Sequence, residues 1–219
     1  KHGAMSGRGN FIDNIDVPLN DSVWLLSMLD YAEKLNSNDE KLATIHNLLS
    51  RTDPGPGGFY DNFGSPKSWA RVKPGKPWSV DPGHLASPRT SFGVGLRGQE
   101  WVHEITAKGF EGGAAPLSWM HQATTLYDVP LVISYENLAY DKSYIVRVAY
   151  TGRFRAKMKL VADDKFILHD FMRTGLQPIY EYEIPKEATA DGELILTWTC
   201  GEGERGSQVS EIWLIPQQQ

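Results

Sequence analysis

The sequence has few cysteines, no long apolar run and no excess of positive charge, and each shortage excludes a class of protein. Its single cysteine, Cys200, excludes an intrachain disulfide and a cysteine-rich zinc site. No apolar run approaches the roughly 20 residues that a membrane-spanning helix needs. The formal net charge is −5, so the chain lacks the positive field with which proteins hold nucleic acid.

Enzyme motifs are scarce as well. The sequence has no Gly-x-Ser-x-Gly elbow, no P-loop and no His-Glu-x-x-His helix, and we expect no Gly-x-Gly-x-x-Gly motif following a strand. Glu181 and Glu183 have the two-residue spacing of the paired carboxylates in jelly-roll glycoside hydrolases. They precede Pro185 near a strand end, so we expect them on an exposed edge.

The first quarter of the chain is predicted to be helical. Residues 1–9 are typical of an expression-tag remnant. Residues 10–52 contain two segments of helical periodicity joined by a short linker, which predicts a helical hairpin packed on the rest of the domain. The apolar positions expected on its inward faces are Trp24, Leu25, Met28, Leu29, Ala32 and Leu35 in the first helix, and Leu42, Ile45, Leu48 and Leu49 in the second.

Residues 53–99 form a region in which proline and glycine interrupt every few residues. No period emerges there, so we predict a long ordered loop region with at most short strands. The run "RTDPGPGGFYDNFGSPKSW", residues 51–69, is the most unusual part, since it combines four glycines and three prolines with four aromatic side chains. Its aromatic content argues against disorder.

Residues 100–216 carry the pattern of short strands. Nine segments alternate apolar and polar residues or bear β-branched and aromatic side chains, with turn residues between them. They are residues 100–106, 117–126, 131–137, 143–150, 156–162, 165–171, 179–185, 193–200 and 210–216. The sequence therefore predicts one mainly β domain, an antiparallel sandwich or jelly roll, that carries the helical hairpin and the long loop region.

The stretches "ENLAYDKSYIVRVAYTG" and "IPKEATADGELILTWTCGEGERGSQVSEIWLIP" resemble the closing half of a galactose-binding-like jelly roll. The similarity covers about residues 117–216 and consists of structural motifs. It implies a carbohydrate-binding module, or a passive scaffold, within a large glycan-active protein. Such sandwiches often hold a structural calcium ion, so the resemblance implies calcium as an optional cofactor, and no other cofactor is expected.

The loop residues suit a sugar site, because sugars bind to aromatic faces flanked by polar groups. The candidates in residues 51–69, the opening run of the loop region, are Tyr60, Asp61, Asn62 and Trp69. Glycines in this run let the backbone approach a ligand. The alternative is that the aromatic residues of this run cap the core and the glycines only make turns. A third interpretation is that this run binds a cation.

Two further stretches offer ligand contacts. Trp78 and Arg89 lie in irregular sequence, and Arg89 could pair with a uronic acid carboxylate or fix the loop through Asp81. Trp101 and His103 share one face of a predicted strand, as do Trp119 and His121 on the next. The alternative is that these faces belong to the inner core.

The function predicted from these features is non-catalytic binding of a polysaccharide or oligosaccharide. The chain would be an accessory domain of a larger secreted, periplasmic or cell-surface protein that degrades polysaccharides. One alternative is a small jelly-roll lyase or hydrolase that uses His103 or His121. Another is a structural domain that packs against a catalytic neighbour. Asp163 and Asp164 could offer oxygen ligands to calcium, although a hairpin turn is the simpler interpretation.

Overall fold

The computed structural model describes residues 28–63, 66–83, 85–92, 121–126, 129–150, 155–173, 179–201 and 205–217. Two helices lie at the N-terminal side, α1 over residues 28–34 and α2 over Asn38–Ser50, which confirms the predicted helical segments. Ser37 caps α2, because its hydroxyl accepts a hydrogen bond from the N–H of Glu40 at 3.2 Å. No helix among these residues is long and apolar enough to cross a membrane.

The predicted inward face of α2 is wrong. Leu42 and Leu49 are 65% and 74% exposed, and no residue of α2 is buried. Ile45 and Leu48 are only half-buried. A periodicity of 3.6 residues identifies a helix and its apolar side, but it carries no information on whether another element covers that side. The helix is fastened instead at its C-terminal end, through Arg51.

The strands form two antiparallel sheets, which confirms the predicted mainly β sandwich. Sheet A runs in the order β2-β3-β10-β5-β8, and β1 also pairs with β10. Its strands are β1 (Phe59–Asn62), β2 (Arg89–Phe92), β3 (His121–Leu126), β5 (Tyr144–Tyr150), β8 (Ile179–Ile184) and β10 (Arg205–Pro216). Sheet B runs β4-β9-β6-β7, with β4 (Leu131–Tyr135), β6 (Ala156–Ala162), β7 (Phe166–Arg173) and β9 (Leu194–Thr199).

Strand β10 is the central element of sheet A. It is 12 residues long and pairs with β5 along one edge. Along its other edge it pairs first with β3, where Val209 faces Ala123, and then with β1, where Leu214 faces Phe59. A register shift between Val209 and Glu211 bends the strand at the change of partner. The opening segment of the loop region is therefore joined to the last strand of the sheet.

The core lies between the two sheets, and the period-2 alternation of the strands fills it. In β5, Tyr144, Val146, Val148 and Tyr150 are all at most 1% exposed, as the alternation predicts. Among the described residues, the largest completely buried side chain is Trp198 of β9. Eight of the nine predicted strand segments are found, and the ninth, residues 100–106, lies outside the described residues.

The described part of the loop region contains only short regular elements, as expected: β1, β2 and a 3-10 helix at Pro66–Arg71. One expectation is wrong. Gly93, Gly95 and Gly98 have Gly-x-Gly-x-x-Gly spacing and follow β2 directly. These glycines lie outside the described residues, and β2 belongs to an antiparallel sheet, whereas a dinucleotide site needs a parallel strand followed by a helix.

Candidate functional site

The opening run becomes a strand because its glycines bring it close to β10. Gly55 and Gly57 adopt φ values of +85° and +82°, which other residues rarely adopt. A Cβ atom on Gly58 would lie 2.7 Å from the carbonyl oxygen of Leu214. These turns and this close approach place Tyr60 and Asp61 on β1, on opposite faces of sheet A.

Tyr60 takes part in a buried network around Glu211. Both carboxylate oxygens of Glu211 accept from Nη2 of Arg51 at 2.6 Å, and one of them also accepts from the Tyr60 hydroxyl. Glu211 is completely buried. The indole N–H of Trp213 donates to the carbonyl oxygen of Arg51 at 2.8 Å. This network ties α2 and β1 to β10.

The surroundings of Tyr60 and Arg51 in this network raise the pKa of both groups. Burial, and then the neighbouring Glu211 carboxylate, raise the pKa of Tyr60 far above its usual value. Burial by itself would lower the pKa of Arg51, but Glu211 and Tyr60 raise it more strongly, so the guanidinium stays charged. The network therefore serves the fold, and a ligand contact from Tyr60 stays a prediction.

Asp61 faces the core side of the sheet and is 1% exposed. One of its oxygens accepts from Nη1 of Arg71 at 2.5 Å, and the other accepts from the Tyr135 hydroxyl at 2.9 Å. The Arg71 guanidinium also lies over the Phe59 ring, 4.9 Å from its centroid. Burial and Asp61 raise the pKa of Tyr135 well above its usual value. In this conformation the partly exposed Arg71 side chain is accessible to a ligand, whereas the Asp61 carboxylate is buried behind it.

The other two candidates of the opening run are half-buried. Asn62 lies at the end of β1, opposite Glu211 of β10. Trp69 packs edge-on against Phe63, with ring centroids 6.3 Å apart, and its indole N–H donates to the Phe63 carbonyl at 3.0 Å. Trp69 therefore anchors the run to the core, which agrees with the core-cap interpretation of this residue.

Residues 75–87 form a closed loop. Its two ends meet at a narrow neck, where Gly75 and Lys76 contact Ser87. A Cβ atom on Gly75 would lie 2.1 Å from the Ser87 hydroxyl oxygen, and the Ser87 hydroxyl is 3.5 Å from the carbonyl oxygen of Lys76. Inside the loop, Asp81 accepts from the N–H groups of Leu85 and residue 86 at 2.8 and 2.9 Å, and from the Ser87 hydroxyl at 2.8 Å. This buried carboxylate organises an Ω-type loop.

The tip of this loop presents a tryptophan to solvent. Trp78 is 67% exposed, and Val80 and Leu85 are 65% and 55% exposed. Asp81 fixes the backbone after Leu85, and the N–H groups of Val80 and Asp81 both donate to the carbonyl oxygen of Pro77, which closes the turn at Trp78. Exposed aliphatic side chains are common, but an exposed tryptophan on an organised loop is unusual and points to contact with a partner or a ligand.

Arg89 lies on β2, two residues after the neck. It pairs across the sheet with Thr124, and Thr124 pairs with Gln208, so the three side chains form one row on a single face. That face is turned away from the core, because the adjacent row contains the core residues Ala123 and Val209. Oε1 of Gln208 is buried and has no hydrogen-bond partner among the described residues.

An open pocket of about 420 Å³ lies next to the loop neck. Its lining includes the Phe59 ring, Arg71, Lys73, Glu136 and Asn137. The backbone N–H of Lys73 donates to the carbonyl oxygen of Val132 at 2.8 Å, which holds this segment along the edge of β4. The pocket thus combines one aromatic face with several hydrogen-bonding groups, and its lining includes Pro74, the residue before the loop.

Several candidates lie outside the described residues. Trp101 and His103 do, and so does the side chain of His121, although its backbone begins β3. Asp163 and Asp164 form the β6–β7 hairpin turn at φ values of +48° and +54°, which agrees with the hairpin interpretation. Within the described ranges, no group of three or more His, Cys, Asp or Glu side chains could hold a metal ion. A structural calcium ion stays a prediction.

Sequence reasoning missed Glu211 and Arg51. The signal was present, because Glu211 is a charged residue inside the apolar strand "VSEIWLIP", and a charge in that position requires a buried partner. It also missed His169 and its contact with Tyr150, which only the packing of the two sheets brings together.

Comparison with family models gives no match, and no curated protein matches the chain. Among solved structures, similar ones include CBM35 from Cellvibrio japonicus Abf62, at 11% identity and a TM-score of 0.32 over 44% of this chain and 72% of that chain. CBM51 from Clostridium perfringens GH95, in complex with methyl-galactose, is 16% identical, with a TM-score of 0.29 over 48% of this chain and 77% of that chain.

A third similar structure is BtGH115A, a family GH115 4-O-methyl-α-glucuronidase with specificity for decorated arabinogalactans. It is 11% identical, with a TM-score of 0.34 over 46% of this chain, and the match spans 15% of that chain. The neighbours thus include carbohydrate-binding modules and a glycoside hydrolase. At these scores the similarities carry no argument about the function of this chain.

Proposed function

We propose that this chain is a non-catalytic carbohydrate-binding domain of a larger, secreted protein that degrades polysaccharides. Trp78 provides the stacking surface for the sugar. The pocket beside the loop neck and Arg89 provide polar contacts. The resemblance of residues 117–216 to carbohydrate-binding jelly rolls supports the accessory role.

The observation that carries the proposal is the exposure of Trp78 on a loop fixed by a buried carboxylate. An indole ring offers a large flat apolar surface that matches the C–H face of a sugar ring. A loop that is already ordered loses little conformational entropy on binding, so the contact contributes more to affinity. The scaffold alternative requires the loop aromatics to be covered, and Trp78 is covered only if a neighbouring domain packs on it.

Affinity electrophoresis against a panel of plant and algal polysaccharides tests the proposal. We expect the wild-type protein to be retarded by at least one glycan, and Trp78→Ala to weaken binding about tenfold or more. Tyr140→Ala is the matched control, because Tyr140 is also a strongly exposed aromatic residue but lies on a different loop. It should leave the retardation unchanged.

The same samples are assayed for new reducing ends and for unsaturated products. Retardation without product supports a binding domain. If no glycan retards the protein, or if Trp78→Ala and Tyr140→Ala behave alike, Trp78 is not the stacking surface. Release of product would show that the domain is an enzyme, and the non-catalytic part of the proposal would be wrong.

A further inference from the structure

Positive charge collects around the loop that presents Trp78. Residues 73–92 contain Lys73, Lys76 and Arg89 but only one acidic residue, Asp81, in a chain whose net charge is −5. Asp81 is buried, and both of its oxygens accept hydrogen bonds from the loop itself. Apart from Glu136, which lines the neighbouring pocket together with Lys73, the charge that the described residues expose around this loop is positive.

The loop neck brings two of these cations together. Lys76 and Ser87 meet at the neck, and Arg89 follows Ser87 by two residues. Trp78 follows Lys76 by two residues on the other side. Since consecutive Cα atoms are about 3.8 Å apart, the Cα atoms of Trp78 and Arg89 each lie within about 8 Å of the neck.

None of the ion pairs among the described residues includes Lys73, Lys76 or Arg89. Arg51, Arg71 and Arg147, in contrast, each pair with a carboxylate at 2.5–2.6 Å. These three arginines are thus neutralised by carboxylates, whereas no carboxylate in the described part of the chain forms an ion pair with the cations around Trp78.

The row that contains Arg89 also offers acceptors. Gln208 of this row and Gln122, which pairs with Ser91 two residues along β2, both have a buried Oε1 without a hydrogen-bond partner among the described residues. Both side chains are at most 3% exposed, so a ligand does not reach these two atoms in this conformation, and recognition falls to the cations.

We infer that the glycan bound at Trp78 is a uronate polymer, whose carboxylates pair with Arg89 and Lys76. The inference rests on the proposed function and names its substrate class. A planar guanidinium matches a carboxylate with two parallel hydrogen bonds, and Arg89 carries the recognition for this reason. A neutral glycan would leave these cations without partners.

Isothermal titration calorimetry tests the inference with three uronate polymers, polygalacturonate, alginate and glucuronoxylan, each beside its carboxyl-reduced form. We expect at least one uronate to bind about tenfold more tightly than its reduced form. That preference should shrink when NaCl is raised from about 20 to 200 mM, because salt screens exposed charges.

Three variants that each remove one positive charge test which side chains bind the uronate carboxylate. Arg89→Gln should weaken uronate binding about tenfold, and Lys76→Gln about threefold, and each should weaken binding of the reduced glycan by a much smaller factor. Lys165→Gln is the matched control, since it removes the same charge from the exposed β6–β7 turn. It should have no effect on either glycan.

The outcomes separate the two proposals. Equal binding of uronate and reduced glycan, with Trp78→Ala still harmful, would overturn the uronate inference and leave the binding domain intact. Binding of a sulfated galactan but of no uronate would also overturn it, because the carboxylate would not be the recognised group. If no glycan of any kind binds, the proposed function itself fails.

Discussion

The hydroxyl of Tyr150 lies 2.6 Å from Nε2 of His169 between the two sheets. The indole N–H of Trp198 donates to the same hydroxyl at 2.7 Å, so Tyr150 joins a tryptophan of β9 to a histidine of β7. Burial is the main cause that lowers the pKa of His169 to about 4, and Met158 and Asp170 oppose this effect only partly.

This histidine should make the fold sensitive to mild acid. In the unfolded chain it takes up a proton near pH 6.5, whereas in the folded protein it does so near pH 4. As pH falls from 6.5 to 4 the unfolded state binds more protons, so the free energy of unfolding decreases by up to about 3 kcal/mol. Urea unfolding at pH 7 and pH 4.5 measures the change. In His169→Phe the free energy of unfolding should not show this decrease. An equal pH dependence in the wild-type protein and the variant would contradict the prediction.

Removing the charge of Glu211 should destabilise the protein strongly. Glu211→Gln leaves the partly buried Arg51 without its carboxylate, and such a change lowers the free energy of unfolding by about 3–5 kcal/mol. Glu181→Gln is the control, because its ion pair with Arg147 is solvent-exposed and worth less than about 1 kcal/mol. Chemical unfolding of both variants measures the difference. Similar small losses would show that the buried network is not needed for stability.

Asp81→Ala should loosen one loop without unfolding the domain. The substitution removes the carboxylate that accepts from the backbone of residues 85 and 86 and from Ser87. Limited proteolysis should then cut within residues 75–87 sooner, and acrylamide should quench Trp78 more efficiently. The melting temperature should fall by only a few degrees, because surface loops open locally. An unchanged cleavage rate would mean that the loop is held by other contacts.

Substitution of Trp69 and substitution of Trp78 should have different effects on stability. Trp69→Ala removes a ring that packs on Phe63 and the core, so we expect a loss of about 2–3 kcal/mol. Trp78→Ala removes an exposed ring and should change stability by less than about 0.5 kcal/mol. Urea unfolding of both variants checks this. A large loss in Trp78→Ala would show that the ring supports the fold rather than serving a ligand.

The sheet strands could be predicted because alternation is a local property. "YIVRVAY" places Tyr144, Val146 and Val148 on one face in any sheet that buries one side, and the structure buries that face. The hairpin turn at Asp163 follows from its two adjacent aspartates, which tolerate positive φ. Both features depend on neighbours in the sequence.

The candidate site was less predictable, since its contacts join distant parts of the chain. Arg51 and Glu211 are 160 residues apart, and no local pattern links them. For the same reason Tyr60 and Trp78 look alike in the sequence, both aromatic and both in a loop rich in glycine and proline. Only the pairing of β1 with β10 assigns Tyr60 to the fold and leaves Trp78 in solvent.

The position of β10 also dictates the order in which the chain can fold. The ribosome synthesises its partners β1, β3 and β5 long before β10. Each of the three has one edge that stays unpaired in sheet A until β10 is present. During synthesis, sheet A must therefore wait until residue 216 has left the ribosome. Contacts that span 150 residues close slowly, so this domain should fold in a late, concerted step once β10 is available.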